Sequence, residues 1–142
     1  MPFIDWLPSY SVGNEVIDNQ HKELVDMVNR LHLSIVKNKV DEEVSAVLKE
    51  LVSYTQKHFN DEENFMHEAG FPLLKDHMKI HREMINRIGS YLVKMRSGQK
   101  VSVFQLIGFL RDWLMNHILI EDMKYKTYLE KLQEKKETTS TT

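Results

Sequence analysis

The sequence predicts an all-α protein: an up-down-up-down four-helix bundle with an irregular N-terminal arm. Two observations carry this. Four long stretches repeat apolar residues every three or four positions, and the connections between them are short and marked by glycine, proline or serine. Strand signals, internal repeats and a Gly-rich phosphate loop are absent.

Residues 1 to about 17 contain Pro2, Pro8 and Gly13 without helical period and read as the arm. Asp18 reads as the N-cap of a first helix whose stripe is Leu24, Val25, Val28, Leu31 and Ile35, with His21 on the same face. Asn38 to Asp41 reads as a short turn. The second stripe runs Val44, Val47, Leu48, Leu51, Tyr54, Thr55, His58, Glu62, Phe65 and Met66, with Gly70 placed to end the helix and Pro72 to open the next. The third carries Leu74, His77, His81, Met84, Ile88, Tyr91, Leu92 and Met95, closed by Ser97 and Gly98. Ser102 and Gln105 form a capping-box pattern. The fourth stripe follows through Leu106, Leu110, Trp113, Leu114, His117, Ile118, Tyr125, Leu129 and Leu132. The bundle is expected over residues 1–134, with 135–142 a disordered polar tail.

Composition narrows the function classes. A chain of 142 residues fits one domain, and a net charge of −2 gives no nucleic-acid footprint. The absence of cysteine excludes disulfides, iron–sulfur clusters and thiolate zinc sites. No apolar run approaches the ~20 residues of a membrane span, and Met1 to Trp6 lack a secretory pattern. The expectation is a cytoplasmic protein with neither nucleic-acid nor membrane partners, monomeric by preference.

Five of the seven histidines point to metal. Residues four apart on an α-helix are offset by only ~40° and ~6 Å, so His58 with Glu62, and His77 with His81, can each aim two ligands at one point. His21 and His117, the latter followed five residues on by Asp122, add ligands from two further helices. All lie on apolar stripes, where an unpartnered imidazole or carboxylate is costly and metal coordination satisfies it. Imidazole with carboxylate suits iron, zinc or manganese. Seven ligands exceed one tetrahedral zinc but suit two octahedral ions. Of twelve bonds, a bridging oxygen and two bridging carboxylates supply six and five histidines five more, which leaves one position open. Neither the zincin H-E-x-x-H nor the paired Glu-x-x-His of ferritin-like proteins is present.

The combined pattern resembles the hemerythrin family in its single-domain bacterial form. The segments that carry it are Ile17-Asp18-Asn19-Gln20-His21; His58-Phe59-Asn60-Asp61-Glu62-Glu63 with Met66, Gly70, Phe71 and Pro72; His77 with His81; and His117 with Asp122. The resemblance runs from Trp6 to about Leu132. It implies an oxo- or hydroxo-bridged pair of iron ions, with His77, His81 and His117 on one iron and His21 and His58 on the other. Glu62 and Asp122 would bridge, and the iron one histidine short would take O2 as ligand. It also implies an O2 pocket wall of Phe59, Trp113, Leu114 and Ile118, near which Leu24 also lies. Regular spacing conflicts at one place: Glu121 lies closer to the face of His117 than Asp122, which is offset by ~140° on a regular helix. A π-bulge near residues 117–122 would reconcile the two.

His32, ~16 Å along the axis from His21, and His67 are expected to be structural or solvated. Tyr54 and Tyr125 are candidates to hydrogen-bond behind the ligands. The leading expectation is reversible O2 binding for storage, delivery or scavenging, without enzymatic activity. The alternatives are O2, NO or redox sensing through a separate partner, since 142 residues leave no room for an output domain, and a di-iron oxidase or peroxidase.

Overall fold

A computed structural model describes residues 3–37 and 41–140. Helix α1 spans Glu15–Val36, α2 Asp41–Glu68 and α3 Leu74–Arg96. Helix α4 (Val103–Asn116) runs through a π-helical segment, His117–Glu121, into α5 (Asp122–Ser140), so these three form one rod. Helix α1 packs along α2 and α4, and α2 along α3. With short connections between successive rods, this is the four-helix bundle that the apolar stripes predict; no strand occurs among the described residues.

The helix ends follow from local chemistry, with four differences from the sequence reading. Helix α1 starts earlier than expected: Asn14, not Asp18, caps it, accepting from the Ile17 amide at 3.0 Å. Asp18 sits in the first turn, where it suits the helix dipole, and accepts from the Ser11 hydroxyl and the Val12 amide. Helix α3 begins at Leu74, so Pro72 belongs to the turn before it. Helix α5 continues to Ser140, past the expected boundary at residue 134. Of the expected turn at 38–41, residues 38–40 lie outside the described residues, and Asp41 is the first residue of α2. Gly70 ends α2 as anticipated: its φ of +71° lets the Phe71 amide reach back to the Met66 carbonyl at 3.0 Å. Ser102 caps α4 by accepting from the Gln105 amide.

The arm is docked onto the bundle. The Ile4 amide donates to Asn29 Oδ1 at 2.8 Å, and Asn29 Nδ2 donates to the Ile4 carbonyl at 2.9 Å. Phe3 stacks on His32 of α1 at 4.2 Å, and the Arg111 guanidinium of α4 lies over the same ring. His32 is therefore a structural partner of the arm. His67 is exposed in the last turn of α2.

Two apolar clusters form the core. The larger includes Leu24, Phe59, Met84, Leu114 and Ile118, and the smaller Val12, Ile17, Met66, Phe71 and Tyr125. Each rod contributes to both, and on each the polar residues of the stripe fall between the two contributions. His21 lies between Ile17 and Leu24, Glu62 between Phe59 and Met66, His77 and His81 between Leu74 and Met84, and Asp122 between Ile118 and Tyr125. The bundle thus encloses one polar layer between two apolar ones.

Candidate metal centre

His21, His58, Glu62, His77, His81, His117 and Asp122 meet in that layer, none more than 2% exposed. Every expected ligand is brought there, and their donor atoms form two overlapping groups that could each hold an ion. His32 and His67 are not part of it.

The two oxygens of Glu62 face different histidines. Its Oε1 lies 3.0 Å from Nε2 of His77 and of His81 and 3.2 Å from that of His117. Its Oε2 lies 3.3 Å from His21 Nε2 and 3.4 Å from His58 Nε2. Asp122 divides in the same sense, with Oδ1 at 3.0 and 3.1 Å from His77 and His117 and Oδ2 at 2.9 Å from His21. The five imidazoles therefore fall into a set of three and a set of two, with both carboxylates facing each set.

Hydrogen bonding satisfies only part of this set: Nε2 of His77 and of His81 each bonds Glu62 Oε1 at 3.0 Å. His21 Nε2, His58 Nε2, His117 Nε2 and both Asp122 oxygens are buried without a hydrogen-bond partner, an arrangement that needs another source of stabilisation. Two ligand atoms each about 2.1 Å from one ion and at right angles to each other stand about 3.0 Å apart, close to the spacings here. The charges agree. Burial opposes ionisation of Glu62, yet the surrounding imidazoles, His117 and His58 foremost, hold it well below the usual carboxylate range. Burial and the neighbouring Glu62 push Asp122 well above that range. Burial also drives His117 down to about 3, while at His77 burial is outweighed by the adjacent Asp122 and Glu62 carboxylates, which raise it to about 8. Two dry carboxylates side by side call for positive charge between them, and metal ions supply it.

The π segment resolves the conflict over Asp122. The Asp122 amide donates to the His117 carbonyl, five residues back, so the intervening residues close one wide turn. Asp122 thereby turns inward beside His117. Glu121 stays at the surface side and pairs with Lys124 at 3.1 Å.

Further polar groups support the layer from behind. Tyr125 donates to Glu62 Oε2 at 3.1 Å, and burial together with Glu62 and Asp122 raises its phenol so that it stays protonated. Tyr54 instead packs against the larger apolar cluster, and burial with the Glu23 and Asp61 charges raises its phenol. Three supporting residues were not anticipated. His58 Nδ1 lies 2.8 Å from Gln20 Oε1, Gln20 Nε2 donates to Asp61 Oδ2 at 2.8 Å, and His81 Nδ1 lies 3.1 Å from Glu63 Oε2. For Gln20 a signal existed: an amide between Ile17 and Leu24 on a buried face requires a partner. Asp61 and Glu63 flank Glu62 and look like solvated acids until α1 and α3 are in place.

Apolar groups close the layer on the side of the larger cluster. Phe59 stacks on His81 at 3.8 Å, nearly parallel, and Trp113 on His117 at 4.8 Å. Leu24, Leu114 and Ile118 are buried in the same cluster. Leu24, Trp113 and Leu114 also line an apolar void of about 10 Å³ with Leu51, Met84 and Leu110.

A four-helix bundle with a dry layer of five imidazoles and two shared carboxylates defines a histidine-rich, non-heme bimetallic protein. The known proteins it matches are of this kind. The family described as the hemerythrin HHE cation binding domain matches residues 12–129. The chain is similar to a bacteriohemerythrin of Pseudomonas aeruginosa strain LESB58, 39% identical over 125 residues that cover 88% of this chain and 80% of the relative. Against a bacteriohemerythrin of Campylobacter jejuni it is 32% identical over 120 residues, 84% of this chain and 90% of the relative. A crystal structure of wild-type hemerythrin superposes with a TM-score of 0.82 at 28% identity, covering 88% of this chain and 96% of that one. The chain belongs to the hemerythrin family. Its cofactor is accordingly a pair of iron ions, which the donor set fits in number, type and burial.

Proposed function

We propose that this protein binds O2 reversibly at its di-iron centre, for storage, delivery or scavenging in the cytoplasm. In this reading His77, His81 and His117 would hold one iron and His21 and His58 the other, with Glu62 and Asp122 shared between them. The observation that carries it is the division of the imidazoles into three and two by the oxygens of Glu62. Equal coordination then leaves the two-imidazole side one ligand short.

When bound, the reduced iron pair supplies two electrons and the open position at which O2 is held. The protein does the rest. Glu62 stays anionic among the imidazoles, and Tyr125 anchors its Oε2 with a hydrogen bond whose proton burial keeps in place. Phe59, Trp113, Leu114 and Ile118 form an apolar wall that would exclude water from the metal layer and so protect the reduced metals from oxidation. None of these four side chains is titratable, so the wall offers no acid to drive O2 onward to water. That favours a carrier over an oxidase. Among the described residues, no helix is long and apolar enough to cross a membrane.

Azide tests the open position. The oxidised protein, carrying two irons per chain, is expected to bind one azide per pair with a change in its visible spectrum. Iron analysis giving one metal per chain, or a spectrum indifferent to azide, overturns the proposal.

A further inference from the structure

Two of the five imidazoles are held from behind by side chains outside the donor set, and the two supports differ in charge. Behind His58 stands Gln20, a neutral amide; behind His81 stands Glu63, a carboxylate. The direction of the Gln20 amide is fixed. Its Nε2 donates to Asp61 Oδ2 at 2.8 Å, and a carboxylate oxygen only accepts, so Oε1 must be the atom facing His58. An amide oxygen accepts as well, so His58 carries its hydrogen on Nδ1 and presents a lone pair at Nε2, toward Glu62. At His81 both ring nitrogens face a carboxylate oxygen, Glu63 Oε2 at Nδ1 and Glu62 Oε1 at Nε2; with Glu62 committed to the metals in the assignment above, Glu63 is the acceptor left for the ring hydrogen, on Nδ1.

We propose that Gln20 and Glu63 are positioning residues that lock His58 and His81 as Nε2 ligands and make the two halves of the centre electronically unequal. The two-imidazole half has a neutral support and the three-imidazole half an anionic one. This rests on the ligand assignment above. A histidine that donates to a carboxylate is a more basic ligand than one that donates to an amide, and it stabilises the more oxidised metal. Asp61 places its charge one hydrogen bond further from the metal than Glu63 does. Exchanging the groups at 20 and 61 moves that charge inward without altering the total.

The test is the midpoint potential of the iron-loaded protein, measured by spectroelectrochemistry on two charge variants. Glu63→Gln keeps an acceptor for His81 and removes the anion, and is expected to raise the potential. Gln20→Glu combined with Asp61→Asn brings an anion onto His58, and is expected to lower it. Wild-type potentials in both, or shifts of the same sign, overturn the inference. Gln20→Leu removes the acceptor at similar volume and is expected to weaken iron binding about 10–100-fold; wild-type affinity there overturns the positioning role. Two irons with an unchanged spectrum in His58→Ala would overturn the ligand assignment instead, which keeps the two failures apart.

Discussion

His117 and Asp122 are five residues apart, yet His117 Nε2 lies 3.1 Å from Asp122 Oδ1 in the same buried layer. On a regular α-helix they would be offset by ~140°. The π segment closes the gap: the Asp122 amide bonds the His117 carbonyl, and the extra residue brings the carboxylate round to the face of the imidazole. The irregular turn inside a long helix falls where it brings a second carboxylate into the buried polar layer, as π-bulges at functional sites do.

Adjacent acids therefore have opposite consequences. Asp122→Asn is expected to lose most of the bound iron, because on the proposed assignment it removes one of two anionic bridges and leaves Glu62 as the one carboxylate facing the buried His21 and His77 Nε2 atoms. Glu121→Gln breaks only an exposed pair with Lys124 and should keep two irons per chain. Iron analysis of the two purified variants decides between Asp122 and Glu121.

Most of the fold was legible because burial imposes period on sequence. The ligands could be placed on four helices since His21, His58, Glu62, His77, His81 and His117 share their stripes with Leu24, Leu51, Met84 and Leu114. Asp122 was less legible, since regular spacing favours Glu121: its line with Ile118, Tyr125 and Leu129 allows it to point inward, and the choice rests on the family resemblance and a postulated bulge. Three things depend on contacts between distant segments and leave little local trace. The arm is held by Asn29, Phe3 stacks on His32, and Gln20 and Glu63 reach across to neighbouring helices. The start of α1 failed for a local reason: Asn14 and Asp18 both fit an N-cap, and Asp18 is taken up by the arm instead.

Removing the metal should loosen the bundle around its polar layer. Both Asp122 oxygens are buried without a hydrogen-bond partner, in a dry site shared with Glu62. Metal that binds only the folded chain adds about 4 kcal/mol of stability at a thousand times its dissociation constant. Urea unfolding of the chelated protein is expected to show a loss of at least that order, restored by ferrous iron under anaerobic conditions. Coincident unfolding curves with and without iron would mean that the layer is stable without it.

The apolar wall can be separated from ordinary core by comparing two leucines. Leu114→Ala and Leu48→Ala each remove a buried side chain of the larger cluster and should each cost ~2–5 kcal/mol. Only Leu114 sits one turn from His117 and next to Trp113. Faster autoxidation of the O2-bound form is expected in Leu114→Ala alone, with iron content unchanged in both. Equal rates would make Leu114 packing and nothing more.

The central claim is that one reduced iron pair takes up one O2 and gives it back. An anaerobic titration of the diferrous protein with O2, followed spectroscopically and then reversed under vacuum, measures this directly. The expected result is saturation at one O2 per two irons and recovery of the starting spectrum over repeated cycles. Consumption of O2 beyond that ratio, or irreversible conversion to the oxidised form in the first cycle, would contradict reversible binding and point to an oxidase.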